Sequence, residues 1–163
     1  MKPTIRYLCY SGIFAALAFV CTAFLQIPLH TGYVHTGDAV MYLAACVLPW
    51  PYAVAVGIVG STLADVMTGF AIWAPASLII KGLSVLAFRH TGKIFCMRNV
   101  LALIPAWLLC IGGYYAYEAL LTQNAVAPLV GITGNLLQCA ISSVLFLLLG
   151  YLFDKLNIRR IFL

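Results

Sequence analysis

The chain has 163 residues, of which 64% are hydrophobic and only 8% charged, and its formal net charge is +5. A soluble domain carries roughly 45–50% apolar and about 25% charged residues, so this composition excludes a water-soluble core of this length, and the excess apolar surface must face lipid. Eight of the nine Lys/Arg fall in three short clusters (Lys2 and Arg6; Arg89, Lys93 and Arg98; Lys155, Arg159 and Arg160). Short basic clusters between long apolar runs are the positive-inside signature rather than a phosphate-binding face.

The first predicted helix covers residues 5–26. Its apolar stretch is too long for the h-region of a signal peptide and carries no A-x-A cleavage site, so it reads as a retained helix. A polar loop follows from Gln26 to Gly37, containing Pro28, His30 and His35. Three further helices are predicted over 39–49, 52–69 and 75–89. Breaks fall at Pro49-Trp50-Pro51 and around Gly69–Pro75, where proline and glycine interrupt helices. The shortest would span about half of the roughly 30 Å hydrocarbon core. The last two predicted helices cover 99–121 and 131–156, joined by the polar loop Thr122–Pro128.

Placing all three basic clusters on the cytoplasmic side requires an even number of crossings between them. The expected architecture is therefore an all-α polytopic membrane protein, a single domain over 1–163 with six transmembrane helices. Both termini then lie in the cytoplasm.

Under this topology the remaining polar side chains gather in the outer half. His30, His35 and Asp38 lie on or beside the first outer loop, Asp65 near the outer end of the third helix, and Trp73 in the second outer loop. Lys81 sits just below the outer end of the fourth helix. Tyr114, Tyr117 and Glu118 end the fifth, Gln123 and Asn124 follow in its loop, and Asn135 and Gln138 lie near the start of the sixth. That asymmetry describes an outward-facing pocket sealed below.

Each residue also has a plainer role. Asp65 and Lys81 occupy similar depths on consecutive helices, which admits a structural ion pair as readily as ligand contact. Asp38 suits the cap of the second helix in Thr36-Gly37-Asp38. The tyrosines and Trp73 suit an interfacial aromatic belt, and Asn135 and Gln138 suit hydrogen bonds between helices. The two loop histidines fit solvent better than metal. The six cysteines (Cys9, Cys21, Cys46, Cys96, Cys110, Cys139) lack C-x-x-C or metal-ligand spacing and read as small packing residues.

One stretch carries more specific information. GYVHTGDAVMYLAACVLPWPYAVAVGIVGSTLADVMTGFAIWAPASLIIKGL, from Gly32 to Leu83, resembles the S components of energy-coupling factor (ECF) importers. Those proteins carry "GD" before an apolar "LAA", then "GxxGSxLAD", then "YAPATLIIKGL". The matching residues are Gly37, Asp38, Gly60, Ser61, Leu63, Ala64, Asp65, Ala74, Pro75, Lys81 and Gly82, with Trp73 and Ala76-Ser77 as mild departures. The resemblance implies a six-helix S-component fold that captures a vitamin or vitamin precursor in an outward-facing pocket under the first outer loop. It implies as partners a transmembrane coupling protein and two ATPase subunits that use the ATP. In relatives a stripe of small residues docks the coupling protein; Ser11/Ala15 and Gly12/Ala16 match it here, although packing of the first helix within the chain explains them as well.

No G-x-x-x-x-G-K-[ST] loop occurs, so the expected role is a transport subunit with no ATPase and no bound cofactor of its own. Three acids against Lys81, with aromatic faces nearby, favour a neutral or cationic flat heterocycle over a dianion. Thiamine precursors, pyridoxine-like compounds, riboflavin and a deazaguanine base all fit. A nickel or cobalt importer fits less well, because metal-binding relatives carry histidine directly after the initiator methionine, where this chain has Lys2. The competing classes are a stand-alone proton-coupled secondary transporter and an MreD-like membrane scaffold. No catalytic constellation accompanies Ser61 or Asp65.

Overall fold

A computed structural model describes residues 3–29 and 32–162; His30 lies outside the described residues. In chain order the elements are α1 (Pro3–Ala23), β1 (Gln26–Leu29), β2 (Gly32–His35), α2 (Gly37–Val47), α3 (Trp50–Met67), a 3-10 turn (Ala71–Trp73), α4 (Ala74–Val85), α5 (Met97–Leu101), α6 (Leu103–Thr122), α7 (Leu129–Lys155) and a closing 3-10 turn (Ile158–Ile161). Four helical stretches are long and apolar enough to cross a membrane, namely Thr4–Ala23, Trp50–Met67, Met97–Thr122 and Leu129–Lys155. Two shorter apolar ones, Gly37–Val47 and Ala71–Val85, complete the bundle. Large apolar side chains such as Leu8, Ile13, Leu108, Val144 and Leu148 are exposed, as a lipid-facing surface requires.

The short helix α2 forms the centre. All of its residues from Gly37 to Val47 are buried, and α1, α3 and α7 pack around it. Its eleven residues rise only about 16 Å, so neighbouring helices rather than lipid surround it. It stops where Leu48, forced out of the helical region by Pro49, turns extended. Pro51 then sits in the first turn of α3, where its missing N–H costs nothing. The start of α2 presses so closely on α1 that a Cβ at Gly37 would lie 1.9 Å from Thr22 Oγ1. Asp38 does not cap this helix; its side chain is taken up elsewhere, as described below.

Helix α4 ends at Val85 rather than at the expected residue 89. Leu86, Ala87 and Phe88 donate to carbonyls three residues back, a tightening that closes the helix. Phe88 then stacks on Tyr42 at 4.6 Å between ring centroids and meets Phe146 at 5.3 Å.

The segment expected as an irregular loop contains an antiparallel hairpin, with Ile27 opposite Val34 and Pro28 opposite Tyr33. The two ends of the bundle differ. One carries the hairpin, the Ala71–Trp73 turn and the α6–α7 connection. At the other, Arg6 and the segments that carry the two later basic clusters converge and are pinned by hydrogen bonds. Arg6 and Tyr10 donate to Ile161 O at 3.2 and 2.8 Å. The Asp154 carboxylate accepts the Ile94 and Phe95 N–H groups at 3.0 and 2.8 Å. Asn99, fully buried, accepts from Arg89 N–H at 2.9 Å and donates to Ile94 O at 3.1 Å.

Candidate functional site

A cavity of about 60 Å3 opens at the hairpin end. Its walls are Tyr33 and His35 from β2, Asp65 from α3, Trp73 from the 3-10 turn, Ser77 from α4, and Tyr114 and Glu118 from α6. Helix α7 adds Gly131, Gly134, Asn135 and Gln138, a single stripe at helical spacing.

Seven residues expected at a site from sequence line this cavity: His35, Asp65, Trp73, Tyr114, Glu118, Asn135 and Gln138. Asp38 and Lys81 lie in the closed core instead. Lys81 Nζ is 2.8 Å from both oxygens of Asp38, and both side chains are at most 2% exposed. Gln138 Nε2 donates to Asp38 Oδ2 at 3.0 Å, and the Tyr114 ring lies 5.3 Å from the Lys81 ammonium. The structural ion pair of Lys81 is therefore made with Asp38, not with Asp65. Its donors and acceptors are satisfied, as a charge pair in a dry interior must be.

Tyr117 donates to Ile72 O at 2.7 Å and its ring lies 5.9 Å from that of Trp73, so it supports the cavity wall from behind. Asn124 is exposed in the α6–α7 connection, where its Oδ1 accepts the Val126 and Ala127 N–H groups at 2.7 and 3.3 Å. It shapes a turn. Gln123 next to it ends α6 in the left-handed region at φ 50°.

Four cavity residues escaped the sequence reading: Gly131 and Gly134, which bring no side chain, and Tyr33 and Ser77. Tyr33 follows from strand periodicity: with His35 two residues on, both point to one face of β2. Ser77 lies midway between Trp73 and Lys81 at four-residue spacing, hence on one face of α4. Ser77 Oγ and Tyr114 Oη are 2.7 Å apart.

The hairpin is held by specific contacts. Tyr33 Oη donates to Asp65 Oδ1, and its ring packs 4.8 Å from Phe70. Burial, reinforced by the negative charge of Asp65, pushes the Tyr33 phenol well above its ordinary value, so it stays a donor. His35 accepts the Gly37 N–H at Nδ1 at 3.2 Å, which places its own proton on Nε2. Burial lowers its pKa to about 4; Asp38 opposes the shift and Lys81 adds to it, so the ring is neutral. Ser142 Oγ donates to His35 O at 3.3 Å and ties the hairpin to α7.

The small-residue stripe on α1 divides. Ser11 is buried and donates to Leu8 O at 2.9 Å. Ala15 faces α3, where a Cβ on Gly60 would lie 3.1 Å from Ala15 O. Gly12 and Ala16 are exposed, and nothing lies within 4 Å of a Cβ built on Gly12.

Among the described residues, no three His, Cys, Asp or Glu side chains group as a metal site. A family model described as "ECF-type riboflavin transporter, S component" matches residues 2–155. No curated protein matches the sequence.

Proposed function

The chain belongs to the family of ECF-type riboflavin transporter S components, and from that premise we propose that it captures riboflavin or a close flavin-like heterocycle in the cavity beneath the hairpin. The hairpin end then faces the exterior and the basic end the cytoplasm of a bacterial plasma membrane, as the positive-inside rule directs. The captured ligand is delivered with a separate coupling protein and ATPase subunits, and the exposed Gly12/Ala16 face of α1 is the proposed docking stripe for the coupling protein.

One observation carries this reading: aromatic and hydrogen-bonding side chains from several elements converge under one hairpin, while the layer below is closed by the Asp38–Lys81 pair. Trp73 and Tyr114, edge-to-face with ring centroids 6.0 Å apart, put aromatic surface on the cavity wall for a flat ring to pack against. Lys81 is neutralised by Asp38, so Asp65 and Glu118 leave the cavity acidic. That balance favours a neutral heterocycle such as riboflavin over a polyanion.

At about 60 Å3 the cavity holds a few waters, whereas sites for ligands of this size run to roughly 300–1,000 Å3. Entry therefore requires the hairpin to swing outward. The bonds that hold it are few, while Asp38 and Lys81 below are locked.

Riboflavin titration of the purified chain, paired with uptake in cells expressing it with and without coupling and ATPase subunits, tests the proposal. Binding by the chain alone and uptake only with the partners is expected. Uptake without partners contradicts it in favour of a self-sufficient transporter, and preference for a polyanion contradicts the choice of ligand.

A further inference from the structure

Asp65 is only 4% exposed, yet its two oxygens are unequally employed. Oδ1 accepts from Tyr33 of the hairpin, whereas Oδ2 is buried without a hydrogen-bond partner. An empty acceptor in a buried carboxylate is costly, and native structures rarely leave one without a reason. No protein donor bonds it in this conformation, although Ser77 lies close beside the carboxylate. Ser77 shares its hydrogen bond with Tyr114. The Lys81 ammonium is held by Asp38, as is the Gln138 amide. Asp65 lines the cavity, so Oδ2, covered while the hairpin is closed, comes within reach of a molecule that enters beneath it.

We propose that Asp65 reads a hydrogen-bond donor of the bound flavin with Oδ2 while Oδ1 holds the hairpin through Tyr33, so that one carboxylate ties ligand recognition to closure of the lid. The assignment rests on the flavin reading above. A neutral flavin offers two kinds of donor, the imide N–H of its ring and the hydroxyls of its ribityl chain. Either forms a charge-assisted bond with a carboxylate, stronger than one between neutral groups. When the ligand occupies Oδ2, the carboxylate is fixed from both sides and the Tyr33 bond is easier to keep. When the site empties, only Tyr33 and its ring contacts restrain that edge of the hairpin.

The test is a set of fluorescence titrations of the purified full chain with riboflavin, N3-methylriboflavin (imide blocked) and lumiflavin (no ribityl hydroxyls). They are run on wild type, Asp65→Asn and Tyr33→Phe. Tyr33→Phe removes only the lid bond and should weaken all three flavins by one common factor. Asp65→Asn should weaken riboflavin about tenfold beyond that factor, the scale of one charged hydrogen bond. The analogue lacking the donor that Asp65 reads should fall no further in Asp65→Asn than in Tyr33→Phe, which identifies the donor as imide or hydroxyl. If Asp65→Asn weakens all three flavins equally, Asp65 only positions the lid and the assignment is wrong; no effect at all also overturns it. If wild type binds none of the three, the flavin reading fails and the assignment with it. Should Asp65→Asn not fold, Asp65→Ser carries the same comparison.

Discussion

Asp38 and Asp65 stand on adjacent helices of one bundle and teach opposite lessons. Asp38, in the closed layer below the cavity, is saturated by Lys81 and Gln138. Asp65, in the cavity wall, has one oxygen engaged and one empty. A saturated buried charge holds helices together; a half-satisfied one leaves an acceptor open to a further donor. The same contrast separates the two ends of the molecule. At the basic end Asn99 and Asp154 spend their polar atoms on neighbouring backbone groups, whereas at the hairpin end polar side chains of several elements line one shared cavity.

The contrast breaks most severely at the saturated pair. Lys81→Met leaves Asp38 buried without its partner and should cost about 3–5 kcal/mol, read as a large fall in thermal unfolding temperature in detergent. The double variant Lys81→Met/Asp38→Leu should recover much of that loss, because an apolar pair of similar volume needs no desolvation.

Next comes His35. Its folded pKa of about 4 lies below its ordinary value of 6.5, so the unfolded chain takes up a proton before the folded one. Stability is then complete above about pH 6.5, falls by about 3 kcal/mol as pH drops toward 4, and levels off below that. Unfolding temperature measured across this window should show the decline, and His35→Gln should flatten it.

At the basic end, Asn99→Ala strands the Arg89 N–H and the Ile94 carbonyl and should cost about 1–3 kcal/mol in the same assay, with flavin affinity unchanged. The smallest stability effect belongs to the void: Asn135→Ala should shift stability by less than about 0.5 kcal/mol while weakening flavin binding. Equal losses of stability from Asn135 and Lys81 variants would erase the distinction between floor and wall.

The sequence made the helical bundle legible because lipid leaves few alternatives. Apolar runs, proline breaks at Pro49–Pro51 and Pro75, and clustered basic residues each carry a strong physical signal. Much of the cavity was legible for a similar reason. Polar side chains such as Asp65, Glu118 and Asn135 are scarce in this chain, and each lies toward the same end of its helix, which brings them together across the bundle. Partner choice was not legible. Asp65 and Lys81 sit at comparable depth, and only the burial of α2, which carries Asp38 into the centre, decides which acid the lysine meets. The hairpin was hidden because Pro28 and a four-residue strand give little periodicity. The turn that Asn124 caps was not legible, because a turn-capping asparagine and a ligand-binding one look alike in sequence.

The central claim, a flavin site in the void beneath the hairpin, is tested most directly by native mass spectrometry of the detergent-purified chain with riboflavin added. Wild type should carry one flavin per chain, and Gly134→Trp, which fills the void from α7, should carry none while keeping its fold. A wild-type chain that retains no flavin, or a Gly134→Trp chain that binds it as well as wild type, would contradict the account.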